Sequence, residues 1–213
     1  MGVFDGHGKI GEHASQFVID NLPKTLANEP DYPTDRTAAL KKAFVNVDNA
    51  LGKHIDASVS GTTAVACLIQ GNKALVGNCG DSRAIIARRG KNGKLVAHDL
   101  TEDQKPDTPA ERARIERMGG RVSAAAADGT PARVWHNFRG LAMARSIGDH
   151  NAKTIGVIAE PEVRRLPRCM GGRVRAGMGM GGGAAGADGC EIGSTAGGGR
   201  GAPSHPRCRL ERR

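Results

Sequence analysis

Apolar positions in the first quarter of the chain recur at helical spacing. Ala14, Phe17, Val18 and Leu22 fall three or four residues apart, which predicts an amphipathic helix ending near Pro23. A second helix is predicted from about Thr34 to Ile55, with Leu40, Phe44, Val47 and Leu51 on one face. The pattern then shortens. "GTTAVACLIQ", "KALVGNC", "RAIIARR" and "KLVAH" are β-rich runs separated by Gly71-Asn72, Gly80-Asp81-Ser82 and the hairpin signal Asn92-Gly93. They predict an antiparallel meander. A third helix is predicted to begin with Thr108 as its cap, Pro109 in its first position and Glu111 closing a capping box. It runs to Met118 and stops at Gly119-Gly120. "RVW" and "GLAMARSIGDH" predict further strand and turn. Helices before and after antiparallel strands define an α+β domain.

Beyond Pro167 this patterning ends. Residues 168–213 are rich in Gly and Arg, have no periodicity and offer few large apolar side chains. Such a segment cannot bury enough surface to offset the entropy of ordering it, so it is predicted to be a disordered tail behind a domain at 1–167. A Gly/Arg/Ala-rich run of this kind reads as a shifted coding frame and not as an evolved domain. The tail also carries most of the charge. Eight arginines and three acids fall in it, so the preceding 167 residues hold only +4 of the total +9. A basic tail without aromatic residues for stacking argues against nucleic acid as the partner of the whole chain.

The remaining composition excludes several classes. No apolar run approaches the roughly 18 residues of a membrane span, and the N-terminus lacks the pattern of a signal peptide, so a cytoplasmic or nuclear location is expected. The five cysteines (Cys67, Cys79, Cys169, Cys190 and Cys208) show no CxxC spacing. They predict reduced thiols, without a zinc site or a disulfide framework.

The chemistry concentrates in three turns: Asp5-Gly6, Gly80-Asp81 and Gly148-Asp149, each following a strand-like run. Taken singly, each is a turn of ordinary composition. Taken together with His7 and Arg145, they place carboxylates where a sheet edge can gather them, and hard oxygen ligands suit Mg²⁺ or Mn²⁺. Ser60-Gly61-Thr62-Thr63 opens a strand and is expected to make backbone hydrogen bonds. Trp135, the only tryptophan, is expected to be a packing anchor.

The blocks "GVFDGHG", "SGTTAVACLI", "NCGDSRAII", "LTEDQKPDTPAERARIERMGGRV", "RVW", "GLAMARSIGD" and "IGVIAEPEV" cover about residues 2 to 166. In that order and spacing, they resemble the metal-dependent protein serine/threonine phosphatases of the PP2C type (the PPM family). The resemblance implies an antiparallel β-sandwich flanked by helices and hydrolysis of phosphoserine or phosphothreonine by metal-activated water. It implies a binuclear Mg²⁺ or Mn²⁺ centre bridged by Asp5, with the carbonyl of Gly6 as a ligand and Asp81 on a third ion. His7 matches the general acid, Arg145 an arginine near the active site that holds phosphate, and Asp149 a structural position. These roles suit the reaction: an alkoxide leaves poorly without a proton, and a phosphate ester repels anionic nucleophiles until cations neutralise it. Phosphoprotein substrates and a monomer without scaffold subunits are implied.

The family pattern has strands ahead of the DGHG block, with a phosphate-binding arginine and an acidic residue. It also has strands after the EPEV block that carry Asp-Gly and Asp-Asn pairs. Against that pattern, the fold is expected to be incomplete at its N- and C-terminal strands, and its metal binding and turnover weak. Asp188 falls near the place of the missing Asp-Gly, but no apolar strand precedes it. Two other functions compete: a non-catalytic phosphatase-like binding module, and nucleic-acid binding through the basic tail.

Overall fold

The computed structural model describes residues 1–71, 73–90 and 92–166, together with the backbone of two strands at 174–176 and 190–195. Two long helices form one layer. α1 (Gly11–Asn28) buries Ala14, Val18 and Leu22, the stripe that the spacing predicts, but it runs through Pro23 and does not end there. The proline removes one backbone donor, while Leu26 beyond it still packs on the core and holds the last turn in place. α2 (Arg36–His54) starts slightly later than predicted because Asp35 takes the cap. Its carboxylate accepts from the backbone N–H groups of Thr37 and Ala38.

The predicted meander is two hairpins in two different sheets. β4 (Ala64–Gln70) and β5 (Lys73–Cys79) pair in one sheet, between β1 (Gly2–Val3) and β12 (Glu162–Leu166). β6 (Arg83–Arg89) and β7 (Leu95–Asp99) pair in another. The break falls at Gly80, whose φ of +112° turns the chain out of the first sheet. Alternate residues then face opposite ways. Ala64, Ala66 and Leu75 pack with the helices, while Val65, Cys67, Ala74 and Val76 share a core with Ala84 and Ile86 of β6. The result is an α+β antiparallel sandwich with helices on one outer face.

α3 (Pro109–Arg117), β8 (Arg121–Ser123), β9 (Arg133–His136) and β10 (Arg139–Leu141) surround a smaller core of Ile115, Val122 and Val134. The start of α3 is where the sequence predicts it, but Thr108 makes no side-chain cap bond. Glu111 is turned inward, where Arg114 and Arg145 take its carboxylate. Trp135 packs in this sheet, donating from Nε1 to Ser123 Oγ at 3.0 Å.

Two strands lie within the stretch that composition reads as disordered. β14 (Cys190–Thr195) pairs antiparallel with β6, and β13 (Val174–Ala176) pairs parallel with β14. The rest of 168–213, including Asp188, lies outside the described residues. Cys67 and Cys79 are free and buried, and burial pushes the Cys79 thiol up to about 12. Among the described residues, no helix is long and apolar enough to cross a membrane.

Candidate active site

A three-stranded ladder inside the molecule gathers the chemistry. β3 (Gly61–Thr62) lies between β2 (Gly6–His7) and β11 (Ile147–Gly148), and it pairs antiparallel with both. His7 and Gly148 are each opposite Gly61. The run Ser60–Thr63 ties the edges down through hydrogen bonds that involve its backbone partners. Thr63 Oγ1 accepts from Asp5 N at 3.0 Å, Ser60 Oγ from Ile10 N at 3.3 Å, and the Ser60 carbonyl from Asp149 N at 2.8 Å. Thr63 Oγ1 also meets Ser82 Oγ at 2.7 Å, so the turn carrying Asp81 and the backbone of Asp5 are fastened to the same side chain.

His7 Nε2 lies 2.6 Å from Asp149 Oδ2. Asp149 is buried and adopts the left-handed conformation, with φ 50° and ψ 44°. A non-glycine residue held there is strained, which the surrounding bonds must over-determine. The contact also needs Gly61, because a Cβ at that position would come within 2.5 Å of Asp149 Oδ2. Burial works against a charged imidazole. The hydrogen bond and charge of Asp149, with the charges of Asp81 and Asp5, outweigh it and hold the pKa of His7 above its ordinary value. His7 Nδ1 is buried without a hydrogen-bond partner.

Asp5 stands two residues before His7. Burial, then the charge of Asp81, push its carboxyl above the usual range, with His7 opposing them. A carboxylate whose ionisation is made costlier by burial and by a second carboxylate nearby makes a place a divalent cation would relieve. With the carbonyl of Gly6, the donor set is all oxygen, which suits Mg²⁺ or Mn²⁺. Gly6 itself is pressed against Gly11, and a side chain there would strike the Gly11 carbonyl. Lys105 Nζ meets Asp81 Oδ2 at 2.5 Å and balances its charge. Among the described residues, no group of three or more His, Cys, Asp or Glu side chains is arranged to hold a metal ion.

The structure does not bring Arg145 to this group. Its Nε donates to both carboxylate oxygens of Glu111 at 3.1 Å and its Nη2 to Glu111 Oε1 at 2.5 Å. Nη1 donates to the Glu160 carbonyl at 3.0 Å, and Nη2 also approaches Glu162 Oε1 at 3.4 Å. The guanidinium is thus engaged on every nitrogen by protein atoms. It borders a separate groove of about 860 Å³ lined by Asn78, Arg83 and Glu160. Asp149, in contrast, touches His7 directly, a link hidden in the sequence because the two lie 142 residues apart. The signals that could have found it were the Gly148-Asp149 turn and the small residue at Gly61.

A family model described as Protein phosphatase 2C matches residues 1–168. The chain is 39% identical over 185 residues to a probable protein phosphatase 2C 35 of Arabidopsis thaliana, covering 76% of this chain and 53% of the relative. It is 38% identical over 208 residues to a probable protein phosphatase 2C 75 of Oryza sativa subsp. japonica, covering 76% and 48%. It therefore spans about half the length of the curated relatives it matches. Among solved structures, a serine-threonine phosphatase 2C from Toxoplasma gondii superposes with a TM-score of 0.70 at 25% identity, over 79% of this chain and 63% of that one. On the match across residues 1–168, the ordered motifs and the shared sandwich, this chain belongs to the protein phosphatase 2C family.

Proposed function

We propose that this chain carries part of a protein serine/threonine phosphatase site, with His7 as the proton donor and Asp149 as its positioning residue. The observation that carries the reading is the His7–Asp149 contact at 2.6 Å, in the lining of a groove and within the field of Asp5. Hydrolysis adds water across the phosphorus–ester bond: the water oxygen ends on phosphorus, and the serine or threonine oxygen leaves as a hydroxyl. That leaving oxygen needs a proton, and an imidazole whose pKa Asp149, Asp81 and Asp5 hold above its ordinary value, against its burial, keeps a proton to give to higher pH than a free histidine would. Asp149 engages Nε2 and fixes the ring, so Nδ1, which has no hydrogen-bond partner, is the nitrogen left to give the proton to the leaving oxygen.

The family is metal-dependent, and Asp5, the Gly6 carbonyl and Asp81 are the groups that would hold Mg²⁺ or Mn²⁺ here, with Asp81 suited to a further ion. When bound, such a cation supplies neutralisation of the phosphoryl oxygens and acidifies water. Phosphoproteins are the substrates this reading implies, acted on by a single chain. The test is turnover of a phosphothreonine peptide with Mn²⁺, alongside calorimetric titration of Mn²⁺. Asp5→Asn is expected to abolish both metal heat and turnover. His7→Ala is expected to slow the peptide by about 10²–10⁴-fold and p-nitrophenyl phosphate much less, since nitrophenolate leaves without a proton. Equal losses on the two substrates would remove His7 from the role.

A second reading is a phosphopeptide-binding module of the same fold without turnover. It is favoured by the absence, among the described residues, of a group of three or more metal-ligating side chains. The same titration separates the two, because the module predicts no divalent-cation heat.

A further inference from the structure

The groove that His7 lines holds about 460 Å³ and is walled by the β9–β10 hairpin. Its charge is lopsided. Arg133, His136 and Arg139 come from the hairpin, and the single carboxylate in the lining, Asp149, is already taken by His7. Arg133 lies on the other face of the hairpin, beside Trp135, and donates through Nη1 to the Gly140 carbonyl at 2.7 Å. Arg139 is exposed and, among the described residues, its side chain has no ion-pair or hydrogen-bond partner. Elsewhere in this fold the arginines that serve packing are paired, as Arg114 and Arg145 are with Glu111. Arg139 stands directly opposite His136 across the hairpin, on the same face, so the groove wall presents a guanidinium without a carboxylate beside an imidazole, free to take an anion bidentately. At the tip of the same hairpin, Asn137 has φ 56° and Phe138 stands 98% exposed, an apolar contact at the rim.

We propose that this wall reads a second anionic group on the substrate, a carboxylate or a further phosphate, close in sequence to the phosphoserine or phosphothreonine presented to His7. The inference rests on the phosphatase reading for which residue is cleaved, but the recognition itself is a matter of binding. The groove therefore selects acidic phosphopeptides and disfavours basic ones.

The test is fluorescence anisotropy on the full chain, without added metal and at low salt. It uses labelled phosphothreonine peptides flanked by aspartates, by phosphoserine or by lysines. Wild type is expected to bind the aspartate- or phosphoserine-flanked peptide about fivefold or more tighter than the lysine-flanked one, with the margin shrinking as salt rises. Arg139→Glu is expected to erase or invert that preference, and Arg139→Lys to keep most of it. Comparing the aspartate and phosphoserine peptides tells which anion is the better source. Equal affinity for acidic and lysine flanks, no measurable binding of either acidic peptide, or no effect of Arg139→Glu overturns the proposal. Turnover of p-nitrophenyl phosphate with Mn²⁺ is measured in parallel, because that substrate has no flanks. A flank preference without turnover supports the groove and sinks the phosphatase reading. Turnover without a preference does the reverse.

Discussion

Gly61 lies opposite both His7 and Gly148, and the hydrogen bond from His7 to Asp149 passes over the space where its side chain would be. Gly61→Ala puts a methyl group 2.5 Å from Asp149 Oδ2 and 2.5 Å from the Ile147 carbonyl. The backbone atom cannot give way, so Asp149 must. Overpacking of this kind is expected to cost about 1–3 kcal/mol of stability, read from urea denaturation. On the proposed phosphatase reading, turnover should fall further, by about 10²-fold, because the ring proposed to donate the proton loses its anchor. A variant that loses stability but keeps full turnover would show that the His7–Asp149 contact is not needed. At this scale the sequence is half legible. Asp5, Gly6 and His7 form one contiguous motif, so their proximity is guaranteed by the chain. The importance of Gly61 comes from cross-strand register, which no local pattern encodes, and Asp149 reads as a turn residue until its partner is known.

Elements reveal a different kind of misreading. The start of α3 is correctly given by Thr108, Pro109 and Glu111, yet the glutamate does not serve the helix end. It is 3% exposed and holds Arg145 and Arg114, joining α3 to the segment that enters β11. Burial alone would raise the Glu111 carboxyl, but the two guanidiniums outweigh it and hold the pKa below its ordinary value. Glu111→Ala leaves a largely buried guanidinium without its counter-charge, and is expected to cost about 3–5 kcal/mol by urea denaturation. Replacing Glu111 with Arg145, as Glu111→Leu with Arg145→Met, should cost less than Glu111→Ala alone, because only Arg114, which also donates to the Gly156 and Ala144 carbonyls, is then left without its carboxylate. If the double variant is the less stable, the pair contributes more than its desolvation removes. Helix faces and individual strands were readable here because period 3.6 and period 2 are local properties. The passage of α1 through Pro23 and the division of four runs between two sheets were not, because both depend on what lies across the core.

At the scale of the whole molecule, the helix layer and the site are joined by one buried carboxylate. Asp48 of α2 accepts from Gly148 N at 2.7 Å and from Lys153 Nζ at 3.0 Å, and its Oδ1 lies 3.5 Å from His150 Nε2. The sequence offered Asp48 only as a polar residue within an apolar helix, since its partners arrive about a hundred residues later. Its burial would raise its pKa, but His150, Lys153 and the Gly148 N–H overcome that and lower it. The hydrogen bond to Asp48 raises the pKa of His150, against its partial burial. These shifts set opposite limbs of a stability curve. Asp48 and Glu111, being depressed, contribute fully above their unfolded values of 3.8 and 4.5, and lose that contribution as pH falls through their lower folded values. His150, being raised, contributes fully below 6.5 and loses its contribution as pH rises through its higher folded value. His7 acts in the same direction. Asp5, being raised, loses its contribution as pH rises from 3.8 through its higher folded value, which shallows the acid limb without reversing the two depressed carboxylates. The melting temperature is therefore expected to peak between 4.5 and 6.5 and decline on both sides. Asp48→Asn should lower the curve throughout and make the alkaline limb shallower, because His150 loses the charge that raised it. The acid limb should persist through Glu111, and the remaining alkaline slope should be that of His7. An alkaline limb equally steep in Asp48→Asn and wild type would show that the Asp48–His150 pair does not link the helices to the site.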